Sequence, residues 1–76
     1  MGYEELTFSE ALVALKQGQR LSRLGWNALG QHIQIQFPDE HSKMKQPYLY
    51  ITPVQGTPVP WAASQTDVLA EDWVVV

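Results

Sequence analysis

At 76 residues the chain reads as a single domain spanning 1–76, near the lower end of what folds alone. Hydrophobic residues make up 45%, which excludes a disordered chain, and the absence of cysteine excludes a disulfide staple. A net charge of −3 argues against a binder of long nucleic acid. Two histidines without a cysteine do not make a structural zinc site, so neither metal nor cofactor is expected. A single core of this size supplies only about 3–5 kcal/mol, and self-association is the expected source of the rest. Glu4 and Glu5 stand where a signal peptide would be basic, and no apolar run approaches a membrane span. The expectation is a soluble cytosolic protein with no membrane partner.

The first element is a helix. Thr7-Phe8-Ser9-Glu10 is a capping box, and Phe8, Ala11, Leu12 and Leu15 recur as one apolar stripe over about ten residues. Gly18 is placed to end it in the left-handed region, and Tyr3 or Leu6 to staple its first turn. Arg20 to Leu24 reads as a short strand, with Leu21 on one face and both arginines on the other. Gly25-Trp26-Asn27-Ala28-Leu29-Gly30 is a turn bracketed by glycines, where Gly25 permits a close backbone approach or a positive φ. Trp26 is then either a plug over the sheet or a stacking platform beside the Asn27 amide.

From Gln31 to Phe37 the alternation is clear: Ile33, Ile35 and Phe37 share one face, His32, Gln34 and Gln36 the other. That polar, uncharged face suits a cavity, a subunit interface or solvent. Pro38 to Gln46 is an exposed polar loop. In the next strand, Leu49 and Ile51 oppose Tyr48, Tyr50 and Thr52. After a turn at Gln55-Gly56, Pro58 to Trp61 is extended, and its two prolines favour a sheet edge. Ser64 and Asp67 have capping-box spacing before a short helical turn, in which Val68 and Leu69 are expected to point inward. Trp73 to Val76 is a last strand, expected at the sheet centre. The fold class is α+β: a small antiparallel sheet, an N-terminal helix packed on one face, and a short helical turn before the final strand.

No nucleophile–base–orienter set is legible, and no glycine-rich phosphate loop. Paired carboxylates among Asp67, Glu71 and Asp72 are the only hydrolytic hint, and Asp67 is accounted for by capping. His32 has no close Asp, Ser or Cys partner in sequence, and His41 sits in the polar loop and is a weaker candidate still. The expectation is therefore no enzyme. All five basic residues fall between Lys16 and Lys45, and no acid lies between Ala11 and Pro38. A locally basic stretch in an acidic chain suits a small anion better than a polyanion. The polar and aromatic set Arg23, Trp26, Asn27, Ser64, Gln65, Thr66 and Asp67 is suited to binding: tryptophan stacks on a base, arginine pairs with phosphate, and amides and hydroxyls read ribose and base edges. The other use of the same aromatics is a subunit or partner interface in a non-catalytic interaction module.

Three segments together resemble a phage-encoded family, the second family of Thoeris anti-defence proteins. They are Thr7 to Leu12 with Leu15-Lys16-Gln17-Gly18, then Arg23-Leu24-Gly25-Trp26-Asn27, and Val59 to Trp73. The resemblance spans nearly the whole chain, with the loop from Pro38 to Gln46 matching least. It implies a homotetramer in the cytoplasm of the infected bacterial host that acts as a sponge. Such a protein holds glycocyclic ADP-ribose without cleaving it, and some members also hold cyclic dinucleotides. It further implies binding residues at Trp26, Asn27, Ser64, Gln65, Thr66 and Asp67, with Arg23 added on charge and position.

Overall fold

The structure, a computed structural model, describes residues 4–26 and 30–76. The described elements run α1 (Phe8–Lys16), β1 (Leu21–Arg23), β2 (His32–Gln36), β3 (Tyr48–Thr52), β4 (Val59–Pro60), α2 (Gln65–Leu69) and β5 (Trp73–Val75). The five strands form one antiparallel sheet in the order β4-β3-β2-β1-β5. The expected α+β class, with a helix on one face and a short helical turn before the last strand, is the observed one.

α1 starts where its sequence says. Thr7 Oγ1 accepts from the Glu10 N–H at 3.3 Å while the Glu10 carboxylate accepts from the Thr7 N–H at 2.9 Å. Each bond satisfies a donor the first turn would leave orphaned. Gln17 caps the other end, and Gly18 follows with φ +90°, the left-handed conformation glycine adopts without cost. Ala11, Ala14 and Leu15 on the inner side of α1 meet Leu21, Ile33 and Trp73 of the sheet. Small residues at two of the three helix positions bring its backbone close to the sheet. Leu6 packs against the same cluster from the segment before α1, while Tyr3, the alternative staple, lies outside the described residues.

The alternation expected of the two longest strands holds. Ile33 pairs with Ile51 and Ile35 with Leu49, on the side that α1 packs against; Gln34 pairs with Tyr50 and Gln36 with Tyr48 on the other side. β4 is an edge strand, as its prolines required. Val59 and Trp61 face β3, with the Trp61 N–H donating to Leu49 O at 3.0 Å. Pro58 and Pro60 therefore face outward, where neither offers an N–H to another chain.

Three expectations are overturned. β5 is at the opposite edge, not the centre. It pairs with β1 on one side, and on the other the segment before α1 closes part of the edge, with Leu6 and Trp73 exchanging two backbone bonds of 2.7 and 3.1 Å. The β1 arginines do not share a face: with a period of two, Arg23 lies on the same side as Leu21, opposite Trp73 in register, while Arg20 falls on the other side. Val68 and Leu69 do not turn inward; Leu69 is 76% exposed. α2 is only five residues long, and its inner contacts are made by the groups of Asp67.

Candidate functional site

The residues singled out in β1, the following turn and α2 converge because β1 and β5 are neighbours. Arg23 at the end of β1 sits beside Trp73 at the start of β5, which brings Asp67 and Asp72 to its guanidinium. Beneath them lies an aromatic cluster. Trp73 is fully buried and meets Phe8 and Trp26 at centroid distances of 5.5 and 5.4 Å and Trp61 at 6.0 Å. The Trp26 and Trp61 contacts are edge-on, the arrangement in which a ring's positive edge meets a negative face. Trp26 is thus half-buried in a tryptophan cluster and is not an open stacking platform on both faces.

Asp67 is the hub. Its Oδ1 accepts from Arg23 Nη1 at 2.9 Å and from Trp26 Nε1 at 3.2 Å. Its Oδ2 accepts from the Ser64 N–H at 3.3 Å, and its own N–H donates to Ser64 Oγ at 3.1 Å. Its backbone oxygen accepts from Trp73 Nε1 at 2.9 Å. One side chain therefore closes the capping box of α2, anchors one indole and holds the arginine, while its carbonyl anchors a second indole. Asp72 completes the arrangement: Oδ1 accepts from Arg23 Nε at 2.8 Å, and Oδ2 from the Gly25 N–H at 2.8 Å. A Cβ on Gly25 would stand 2.8 Å from Asp72 Oδ2, so of the two roles expected for this glycine the structure uses the close approach.

The electrostatics follow from these bonds. The Asp72 carboxyl is held below the usual carboxylate range, first by its hydrogen bond from Arg23, against some desolvation, with the Gly25 N–H adding to it. For Asp67 desolvation is the largest single influence and pushes upward. The donors Arg23, Trp26 and Ser64 together outweigh it, and its pKa also falls. Arg23 is correspondingly raised, chiefly by the Asp72 hydrogen bond. The Arg23 and Asp67 side chains are each 14% exposed, so water screens this pair little. Both carboxylates are ionised at neutral pH and neither is suited to donate a proton. Glu71, the third member of the paired-carboxylate hint, is exposed and stays outside the network.

Of the sequence-predicted site residues, Arg23, Trp26, Ser64 and Asp67 come together in one bonded network. Gln65 and Thr66 sit on the first turn of α2 with exposed side chains. Asn27 lies outside the described residues. Asp72, Gly25 and Trp73 were missed as members. The signal for Asp72 was its place one residue before an apolar strand beside a strand that ends in arginine. Arg23 itself is committed to two carboxylates, so it does not present a free cation to a phosphate. The local sum of Arg23, Asp67 and Asp72 is one positive charge against two negative. His32 Nδ1 lies 3.1 Å from Gly30 O, and His41 lies in the exposed loop 3.5 Å from Glu40, both away from this network.

Residues 6–76 match the family model of the Thoeris anti-defense 2-like domain. The chain belongs to that family. A curated relative, Thoeris anti-defense 2 of Bacillus phage SP01, is 32% identical over 85 aligned positions, covering 95% of this chain and 96% of the relative. The aligned length exceeds the 76 residues here, so the relative carries residues that this family member lacks. The matched span contains every described residue of the network, and the role that membership gives the chain is anti-defence directed at Thoeris.

Proposed function

We propose that the protein is a non-enzymatic sponge that binds a nucleotide immune signal, glycocyclic ADP-ribose or a cyclic dinucleotide, and keeps it from a Thoeris effector. The observation that carries the reading is the joining of Trp26, Ser64 and Asp67 into one rigid network, with Gln65 and Thr66 exposed beside it. Rigid positioning lowers the ordering cost of binding, and slow release is what a sponge needs. Because Arg23 is already neutralised by two carboxylates, this surface suits ribose hydroxyls and base edges, and the phosphates point away from it. Asp67 and Asp72 are both taken up by Arg23, Asp67 also by Trp26 and the α2 cap and Asp72 by the Gly25 N–H, which leaves neither free to attack a ligand or activate a water and supports holding over cleaving. In this reading the protein works as a homotetramer in the host cytoplasm.

The test is depletion and return. Purified protein is mixed with glycocyclic ADP-ribose, filtered, and the free nucleotide is quantified; heat denaturation should then release it intact. A cleaved product would point to an enzyme. Absence of binding to any cyclic nucleotide would favour an interaction module, for which exposed Val68 and Leu69 on α2 are the motivating feature. Gln65→Ala with Thr66→Ala separates the two: both side chains are solvent-facing, so the pair should weaken nucleotide binding at least tenfold and leave folding unchanged.

A further inference from the structure

The guanidinium of Arg23 has N–H groups left over but no net charge to offer. An arginine carries five N–H groups in one plane. Asp72 holds this one side-on: Oδ1 accepts from Nε at 2.8 Å, and Oδ2 lies a looser 3.5 Å from Nη2. Asp67 Oδ1 accepts from Nη1 at 2.9 Å. The other N–H groups on Nη1 and Nη2 have no partner among the described residues. The two carboxylates are not equivalent. Asp67 is tied to Trp26 Nε1 at 3.2 Å and to the Ser64 N–H at 3.3 Å, so α2 and the tryptophan cluster need it whatever the ligand. Besides Arg23, the Asp72 carboxylate meets the Gly25 N–H at 2.8 Å and no other described group. The backbone already joins the two segments at that point: the Leu24 N–H donates to Asp72 O at 3.1 Å, and Arg23 stands opposite Trp73 in register. The Asp72 side chain is 24% exposed against 14% for Asp67, so it is the carboxylate nearer to solvent. One carboxylate would balance one guanidinium; the second makes the cluster negative.

We infer that Asp72 is a positioning residue that sets the specificity of this surface: by holding Arg23 side-on and over-compensating its charge, it denies the guanidinium to a terminal phosphate. The inference rests on the reading that a nucleotide binds here. Arg23, Asp67 and Asp72 lie within bonding distance of one another, well inside the roughly 8 Å screening length of physiological salt. An anion approaching the open N–H groups therefore meets one positive charge against two negative, and is repelled. A terminal phosphate carries about −1.5 to −2 at neutral pH and is repelled most. A cyclic nucleotide, whose phosphates are all in diester or anhydride linkage, lacks that second charge and can turn its phosphates to solvent. It still presents ribose hydroxyls and base edges to Gln65 and Thr66, which are exposed beside the network. Asp72 thus rejects nucleoside triphosphates and diphosphates, which would otherwise compete for the same site. Without its charge the cluster is neutral, and the Nε–Nη2 edge opens to the bidentate pairing that arginine makes with phosphate oxygens.

Titration calorimetry of the full chain with inorganic pyrophosphate, which has terminal phosphate and neither ribose nor base, tests this in metal-free buffer at neutral pH. Asp72→Asn should bind pyrophosphate about tenfold more tightly than wild type, the worth of one charge-assisted hydrogen bond. A merely structural role for Asp72 predicts lost stability and no gained ligand. Adding Arg23→Gln to Asp72→Asn should abolish the gain. Glu71→Gln removes the same charge one residue away, at an exposed position outside the network, and should bind as wild type does. Gly25→Ala keeps every charge but puts a methyl 2.8 Å from Asp72 Oδ2, so it should show a smaller gain in the same direction and keeps the test readable if Asp72→Asn does not fold. Unchanged affinity in Asp72→Asn, or in Gly25→Ala where Asp72→Asn does not fold, overturns the inference. So does a gain that survives Arg23→Gln or that Glu71→Gln shares. Thermal shift of the wild type with glycocyclic ADP-ribose scores the sponge separately. A pyrophosphate gain without that shift leaves Asp72 as the group that masks Arg23 and removes the nucleotide, whereas the shift without a gain keeps the sponge and removes this role of Asp72.

Discussion

Arg23 Nη1 and Asp67 Oδ1 are 2.9 Å apart although the residues are 44 positions apart in sequence. The contact ties the end of β1 to the short helix that precedes β5. Asp72 holds the same guanidinium through Nε at 2.8 Å, so one planar fork joins two carboxylates from the two ends of the α2–β5 connection. Arginine can do this and lysine cannot, because only the guanidinium presents several donors in one plane.

Arg23→Lys should therefore behave much like Arg23→Ala. Either change leaves two partly buried carboxylates without their shared counter-charge, and an ammonium can reach one of them at best. A loss of about 2 kcal/mol is expected for both, below the figure for a fully buried pair because Asp72 is 24% exposed. Urea midpoints measure it. A lysine variant as stable as wild type would show that the fork geometry is not what holds α2 in place.

The pH dependence follows from the same bonds. Asp67 and Asp72 have folded-state pKa values below their unfolded ones. The unfolded chain thus binds protons first as pH falls, and the stability these groups contribute is present above the unfolded value of about 4. It is lost as pH falls through the lower folded values. The urea midpoint should therefore be flat from pH 7 to about 5 as far as these two groups are concerned and drop below about 4, with a shallower drop in Arg23→Ala. A drop already complete by pH 5.5 would show that the dependence does not come from these two carboxylates.

Much of this fold was legible because it is local. The Thr7 and Ser64 capping boxes, the alternation of β2 and β3, and the prolines of β4 each declare their role within a few residues. The site was legible in part for the same reason: Trp26, Ser64 and Asp67 stand beside turn signals. What sequence could not give was pairing over distance. β5 looks like a central strand by its valines, yet Leu6 closes part of its outer edge from the far end of the chain. Arg23 looked available to a phosphate because its two acceptors lie more than 40 residues downstream, at separations of 44 and 49. Leu69 was assigned inward by its type, but a five-residue helix held through Asp67 has no second turn to bury.

Ser64→Ala should cost about 1 kcal/mol, the usual worth of an N-cap side chain. It removes the acceptor for the Asp67 N–H but leaves the Asp67 carboxylate with Arg23 and Trp26. The network should then persist, with near-wild-type tryptophan fluorescence in the native state. A red-shifted native spectrum would mean the cap and the tryptophan cluster are one cooperative unit.

Gly25→Ala tests the tightest approach in the site. A methyl there would lie 2.8 Å from Asp72 Oδ2 and 3.2 Å from Arg23 Nη2. The backbone at this position is not in the left-handed region, so the cost is one of space alone. To accommodate the methyl, Asp72 must retreat, lengthening both its bond from the Gly25 N–H and its pairing with Arg23. The expected loss is about 1 kcal/mol, in the range of a partly exposed charged hydrogen bond left badly made. Asp72→Asn alone should cost a similar amount, and the double variant should cost less than the sum, because both remove the same contact. Strict additivity in that cycle would separate the glycine from the carboxylate and leave the close approach without a function.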